Sequence, residues 1–138
     1  MCTSFNIRIY GLLIEQNRLL ITKELFVDEL IYKFPGGGLE FGEGLHDCLI
    51  REFKEELNLD IEVVQHIFTQ ENFIQSAVNP DDQVLMIYYQ VKAKNFEEFK
   101  VRTSDIKEVI WKDLDELKAE DLTMPTEQKA VQELLKIK

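Results

Sequence analysis

The sequence predicts one layered domain that mixes strands and helices, and three observations carry that prediction. A chain of 138 residues has room for a single hydrophobic core, not for two domains of ordinary size. Stretches rich in β-branched and aromatic residues flank a central segment, Leu45–Leu57, whose apolar residues recur every fourth position. A second amphipathic segment closes the chain. Strands on both sides of one helix, with another helix at the end, bury their apolar faces by stacking in layers.

Each element has its own signal. Phe5, Ile7 and Ile9 alternate with Asn6 and Arg8, an apolar run continues to Ile14, and Arg18–Thr22 resumes after Glu15-Gln16-Asn17. This pattern predicts a hairpin whose second strand is largely buried. Leu25–Phe34 follows neither period and reads as a loop with a short strand at Leu30–Phe34. Five of the six glycines then fall within Gly36–Gly44, which marks a special loop. Leu45, Leu49, Phe53 and Leu57, with Ile50 beside them, form the apolar side of a helix. Ile61–Phe68 and Val84–Val91 read as strands, and Asn79–Asp82 between them as a loop or hairpin turn. Asn95–Asp105 is polar enough for a surface connection, and Val109–Trp111 is a further short strand. Thr126–Ile137, with Pro125 in front and Ala130, Val131, Leu134 and Leu135 as its apolar residues, is the C-terminal helix. No repeat or linker interrupts residues 1–138, so they form a single domain.

Composition narrows the function. Against 26 Asp and Glu stand 16 Lys and Arg, a net charge of −10 that repels bare polyanions. That argues against binding nucleic acid or an anionic membrane by charge. A phosphate-bearing substrate delivered with a divalent cation is still compatible. Cys2 and Cys48 are too few for a disulfide framework, which points to a reducing compartment. The N-terminus lacks a leader pattern, and no stretch approaches the roughly 20 apolar residues that cross a bilayer. Together these predict a cytoplasmic protein.

The chemistry concentrates on the polar side of the central helix. Glu52, Glu55 and Glu56, spaced i, i+3 and i+4, lie within an arc of roughly 100°. Like charges so placed repel by a few tenths of a kcal/mol per pair. Arg51 and Lys54 are expected to project elsewhere and screen them only in part. A hard divalent cation, Mg²⁺ or Mn²⁺, is the natural counter-charge, because it takes oxygen ligands and leaves positions for water and phosphate. Acidic runs are commonly solvated helix surface. The preceding loop shifts the balance, since Glu40 and Glu43 add more carboxylates than helix capping needs. Other readings of the loop fail: Glu43-Gly44 stands where a P-loop needs Lys and Ser or Thr, and Phe41 where a dinucleotide fingerprint needs a small residue. Neither His46 nor His66 has a Cys or His at zinc-ligand spacing. Cys48 reads as a packing residue.

Gly37, Glu43 and the run Arg51-Glu52-Phe53-Lys54-Glu55-Glu56-Leu57-Asn58-Leu59 resemble the Nudix box, Gly-x5-Glu-x7-Arg-Glu-U-x-Glu-Glu-x-Gly-U, where U is bulky and apolar. Eight of nine defined positions match; the departure is Asn58 for Gly. Asn is the residue after Gly that best tolerates the left-handed conformation at a helix end, so the role can survive. The flanking Phe34-Pro35-Gly36, the N-terminal hairpin and the Trp111–Leu117 stretch extend the likeness to this family.

The resemblance implies an α/β/α sandwich with a mixed sheet. It also implies hydrolysis of a nucleoside diphosphate linked to another moiety, with Mg²⁺ or Mn²⁺ as cofactor. By position, Glu52, Glu55 and Glu56 would ligate metal together with the Gly36 carbonyl, and Arg51 and Glu43 would orient them. Glu52 is the first choice for the base; Glu108, also a candidate ligand, or an acid within Asn79–Asp82 would be alternatives. Arg8, Lys23 and Lys33 are candidate phosphate or carboxylate contacts, and Phe5, Phe73, Tyr88 and Tyr89 candidate base-stacking groups, although such aromatics are chiefly core residues. The implied partner is a small nucleotide or nucleotide-sugar, with homodimerisation common in the family. Two rivals are a Nudix-fold sensor that binds a nucleotide without cleaving it, and an interaction domain that docks through its acidic helix.

Overall fold

The computed structural model describes every residue from Met1 to Lys138. Seven strands and two helices follow one another as β1 (Ser4–Glu15), β2 (Arg18–Phe26), β3 (Glu29–Lys33), β4 (Gly36–Gly38), α1 (Leu45–Leu57), β5 (Ile61–Thr69), β6 (Asp82–Ala93), β7 (Ile106–Asp113) and α2 (Pro125–Ile137). β1 organises the sheet. It pairs in parallel with β6 from Ser4↔Asp82 to Leu13↔Val91, antiparallel with β4 from Arg8↔Gly38 to Tyr10↔Gly36, and at its far end with β2. β5 lies antiparallel to β6, while β2 carries both β3 and β7 antiparallel. The sheet is therefore mixed, with β1·β6 its parallel pair.

Both faces of this sheet are covered, which explains why the middle of β1 is apolar without alternation. Ile9 and Leu13 face α1, where Cys48, Leu49, Phe53 and Leu57 join Ile87 and Val91 in one core. Tyr10 and Leu12 point the other way, into a second core with Leu19, Ile21, Phe34, Tyr88 and the α2 residues Ala130, Val131 and Leu134. The expected α/β/α sandwich is what the chain forms. Gly11 lies between these two sets: a Cβ there would sit 2.6 Å from the Phe53 ring, so the absent side chain admits α1 against the sheet.

Several local differences from the sequence reading have physical causes. Leu25–Phe34 is a second hairpin, with Leu25↔Leu30 and Phe26↔Glu29 opposite each other. Its turn residues Val27 and Asp28 both have positive φ, 48° and 66°. That geometry is usually announced by Asn-Gly, and a valine there hides it. Gly36–Gly38, read as loop, forms the short strand β4, because glycines can lie flat against β1. Ile50 is 43% exposed and does not belong to the buried stripe of α1. The polar connection before β7 packs Phe96 and Phe99 on Trp111, with ring centroids 5.3 and 6.1 Å away. No helix is long and apolar enough to cross a membrane.

The tight Gly11–Phe53 approach yields a stability prediction. Gly11→Ala should lower the unfolding free energy by about 1–3 kcal/mol, the usual cost of overpacking. Shortening the ring in Gly11→Ala/Phe53→Leu should lower it by less than the sum of the two single changes. Urea midpoints at constant slope measure both, and strict additivity would show that the two residues do not press on each other.

Candidate active site

The site is assembled where the glycine turn enters α1. Gly44 caps the helix in extended conformation, and its N–H donates to Asp47 Oδ2 at 2.9 Å, closing the first turn. At the far end Asn58 adopts the left-handed conformation, φ 56° and ψ 34°, as its place in the pattern requires. Its side chain is used as well: Nδ2 donates to the Glu98 carbonyl at 3.0 Å, and Oδ1 accepts from Arg102 at 3.1 Å. Arg102 N–H also donates to the Glu56 carbonyl at 2.7 Å, so the connection before β7 satisfies the end of α1.

Arg51 is the hub. Its Nε and Nη2 donate to the two oxygens of Glu43 at 3.0 and 2.7 Å. Nη2 reaches the Gly38 carbonyl at 3.0 Å, while Nη1 donates to Glu52 Oε1 at 2.8 Å and Glu55 Oε2 at 3.4 Å. This corrects the expectation that Arg51 would project away from the acidic face. The long guanidinium folds back over the helix entrance, whereas Lys54 does turn away and pairs with Asp60 at 3.4 Å. Arg51 and the Glu40 N–H hold the Glu43 carboxyl down at about 2.

The three helix carboxylates occupy different environments. Glu52 lies against Gly37, where a Cβ would be 2.5 Å from its carboxyl carbon, so a side chain at position 37 would displace the carboxylate from this place. Burial raises the Glu52 pKa, and the hydrogen bond from Arg51 opposes that shift. Glu56 is more deeply placed: burial pushes it up to about 8 against the opposing charge of Lys33, and its Oε2 is buried with no hydrogen-bond partner. Glu55 is 60% exposed. As they stand, no three Asp, Glu, His or Cys side chains converge well enough to hold a cation together. Arg51 draws Glu52 and Glu55 to itself. The residues nonetheless suit a hard divalent ion, since Glu56 offers a desolvated oxygen without a partner and the other donors are carboxylates.

The remaining candidates scatter. Arg8 Nε donates to the Tyr10 hydroxyl at 2.7 Å, and Lys33 Nζ donates to the Phe34 carbonyl at 2.8 Å beside Glu24. Lys23 lies 5.6 Å over the Tyr32 ring, and Glu108 stands opposite Lys23 on β7 without an ion pair. Tyr88 is a core residue, stacked on Tyr10 at 5.4 Å, and Tyr89 packs between His46 and His66. Phe5 and Phe73 are exposed. Asp82 opens β6, and the neighbouring Asp81 carbonyl accepts from Thr3 N–H. Cys48 is fully buried, with Sγ 3.8 and 3.6 Å from the Gly37 and Gly38 carbonyls, and burial pushes its thiol up to about 12. This is a packing residue.

Glu127 escaped the sequence reading. It is 4% exposed, its Oε2 accepts the Phe34 N–H at 3.0 Å, and its Oε1 has no partner. The available signal was its position: three residues before Ala130 and four before Val131, it lies on the apolar stripe of α2. Burial raises its pKa to about 7, with Lys33 and the Phe34 N–H opposing. The folded protein thus keeps this proton to higher pH than the unfolded chain. The stability it contributes is complete below the ordinary carboxylate range and is lost as pH rises through about 7. Between about pH 5 and about pH 8 the unaltered protein should lose roughly 2–3 kcal/mol more than Glu127→Gln. Urea unfolding at both pH values checks this; equal losses would contradict it. Glu56 adds a decline of the same sign that the variant retains.

Comparison with known proteins agrees with this architecture. The NUDIX domain model matches residues 5–134. The mRNA-decapping protein D10 of Fowlpox virus (strain NVSL) is 32% identical over 60 residues, covering 41% of this chain and 27% of that protein. The matched part is thus about a quarter of that relative's length. Among solved structures, the MutT protein from Methanosarcina mazei Go1 superposes with a TM-score of 0.78 at 14% identity, covering 99% of this chain and 97% of that one. A MutT NUDIX hydrolase from Burkholderia pseudomallei gives 0.77 at 20%, covering 96% and 99%. An ADP-ribose pyrophosphatase from Streptococcus suis 89-1591 gives 0.65 at 16%, covering 96% and 90%. At such identities these likenesses speak for the fold. The glycine turn leading into α1, the two-sided sandwich and the family match over nearly the whole chain show that this protein belongs to the Nudix family.

Proposed function

We propose that this protein is a Mg²⁺- or Mn²⁺-dependent hydrolase that cleaves the diphosphate linkage of a small nucleotide or nucleotide-sugar. The observation that carries the reading is the pairing of Glu56, whose buried Oε2 lacks a partner, with Glu52, pressed onto Gly37 and gripped by Arg51. In this reading Glu52, Glu55, Glu56 and the Gly36 carbonyl hold the cation. When bound, the cation would neutralise the diphosphate and acidify the attacking water. Arg51 fixes Glu52 through Oε1, which leaves Oε2 to take the proton of that water. Glu43 keeps Arg51 in place by using two of its donors. Arg8 and Lys33 belong to the same reading as contacts for the substrate's outer phosphates or acid groups. Homodimerisation and a reducing, cytoplasmic setting for the two free thiols complete it.

A panel of nucleoside triphosphates, nucleotide-sugars and dinucleotides with Mg²⁺ or Mn²⁺ tests it by phosphate-product release. Glu52→Gln should lower kcat by about 10²–10⁴-fold, the range for a lost general base. Glu55→Gln and Glu56→Gln should raise the metal concentration needed for half-maximal rate. Arg51→Lys should cost roughly 10–100-fold, because an ammonium cannot span Glu43, Gly38 and Glu52 together. Glu108→Gln separates α1 from β7: a comparable loss adds Glu108 to the site, and an unchanged rate confines it to α1 and its loop. Thermal stabilisation by a nucleotide without product would favour the sensor instead.

A further inference from the structure

The glycine turn has to be delivered to α1 from β3, and the way it is held is unusual. Tyr32 N–H donates to Thr123 Oγ1 at 2.8 Å, and Thr123 N–H donates back to the Tyr32 carbonyl at 3.1 Å. Thr22 Oγ1, which donates to Glu24 Oε2 at 2.8 Å, lies 3.2 Å from the Lys33 carbonyl. Next comes Phe34, whose carbonyl accepts from Lys33 Nζ at 2.8 Å and whose N–H donates to Glu127 Oε2 at 3.0 Å. Pro35 has no N–H, so this donor is the last before Gly36. Gly36 has φ 153°, and a Cβ there would run into the Ile9 carbonyl oxygen. β1 holds one edge of this segment through its ladder with Gly36–Gly38 and through Gly11 N–H on the Pro35 carbonyl at 2.9 Å, and glycines tolerate many paths, so the anchor at Phe34 fixes the side from which the segment enters.

Glu127 is an expensive anchor. A buried acid with an oxygen lacking any partner costs about 1–3 kcal/mol, and its place on the apolar stripe of α2 would suit leucine. The other buried carboxylate oxygen without a partner is Glu56 Oε2, and the Lys33 charge acts on both acids. Lys33 itself pairs with Glu24 at 3.5 Å and lies over the Tyr10 ring, so it opposes the charge of both acids without forming an ion pair with either. Stability alone does not account for a polar side chain at position 127, but holding the Phe34 N–H does.

We infer that Glu127 is a positioning residue for the cation site on α1. Its Oε2, by accepting the Phe34 N–H, sets where the Pro35–Gly37 turn meets Glu52 and Glu56. The inference rests on the metal-site reading above. It makes α2, which supplies none of the proposed ligands, a determinant of metal affinity.

The test compares Glu127→Gln, which keeps an acceptor at the same reach, with Glu127→Asn, which is too short, and Glu127→Leu, which has none. Backbone exchange at Gly37 and Gly38 in the metal-free protein should quicken about tenfold in the Asn and Leu variants and stay unchanged in Gln. Mn²⁺ binding, followed by the resonance of the free ion, should weaken by about tenfold in the same two, the low end for residues supporting a metal site from behind. At saturating Mn²⁺, kcat should fall with KM unchanged in the Asn and Leu variants, and Gln should keep both kcat and Mn²⁺ affinity at the values of the unaltered protein. If Leu fails to fold, Asn against Gln decides. Unchanged Mn²⁺ affinity in a less stable Asn or Leu variant would make Glu127 merely structural, and a Gln variant as impaired as Leu would refute the acceptor role. An unaltered protein that binds no Mn²⁺ overturns this inference and the reading under it. Binding without turnover removes only the hydrolase reading and counts for the inference if the Asn and Leu losses persist.

Discussion

One guanidinium ties the two halves of the site together. Arg51 projects from α1 and spends its donors on Glu43, the Gly38 carbonyl, Glu52 and Glu55. The planar fork has fixed directions, so these acceptors can be satisfied together only if loop and helix keep one relative position. The same contact lets so many carboxylates stand close together. Glu43 keeps its charge to lower pH than an ordinary carboxylate, and Glu52 stays where it lies against Gly37 in spite of its burial. Arg51 is the counter-charge for this face, with hydrogen bonds to both Glu52 and Glu55.

The rest of the fold supports side chains held against their electrostatic preference. Glu56 and Glu127 each bury an oxygen that nothing satisfies, and Lys33 is held between Phe34, Glu24 and the Tyr10 ring. Buried polar groups of this kind need stability from elsewhere. It comes from a sheet buried on both faces, with Ile9 and Leu13 packed under α1 and Tyr10 and Leu12 under α2. Gly11, set between these pairs, brings Phe53 and hence all of α1 close to β1.

Legibility followed the length and regularity of each pattern. Leu45–Leu57 could be read end to end because four apolar residues at fixed spacing leave one orientation for the helix, and Asn58 could be read as its left-handed end. Of the second hairpin, the strand at Leu30–Phe34 was legible but its tight turn and its pairing with β2 were not. Its turn uses Val27 and Asp28, and a β-branched valine at positive φ gives no local signal for a tight turn. The acidic face of α1 was legible from spacing, but the direction of Arg51 was not, since a long flexible side chain chooses among partners that only folding brings near. Glu127 was visible as an acid on an apolar stripe, while its partner Phe34 lies 93 residues away in sequence.

By itself the sequence determined the layered class, both helices, the glycine turn and the row of carboxylates on one face. These depend on backbone propensity and on periodicity within a few turns, which are local properties. Tertiary structure alone decided which carboxylates turn inward, that Arg51 closes over them, that Gly36–Gly38 pairs with β1 as a strand, and that α2 reaches the site through Glu127. Such choices depend on burial and on partners distant in the chain. A residue's charge and hydrogen bonds are settled only when the surfaces that exclude water from it have come together.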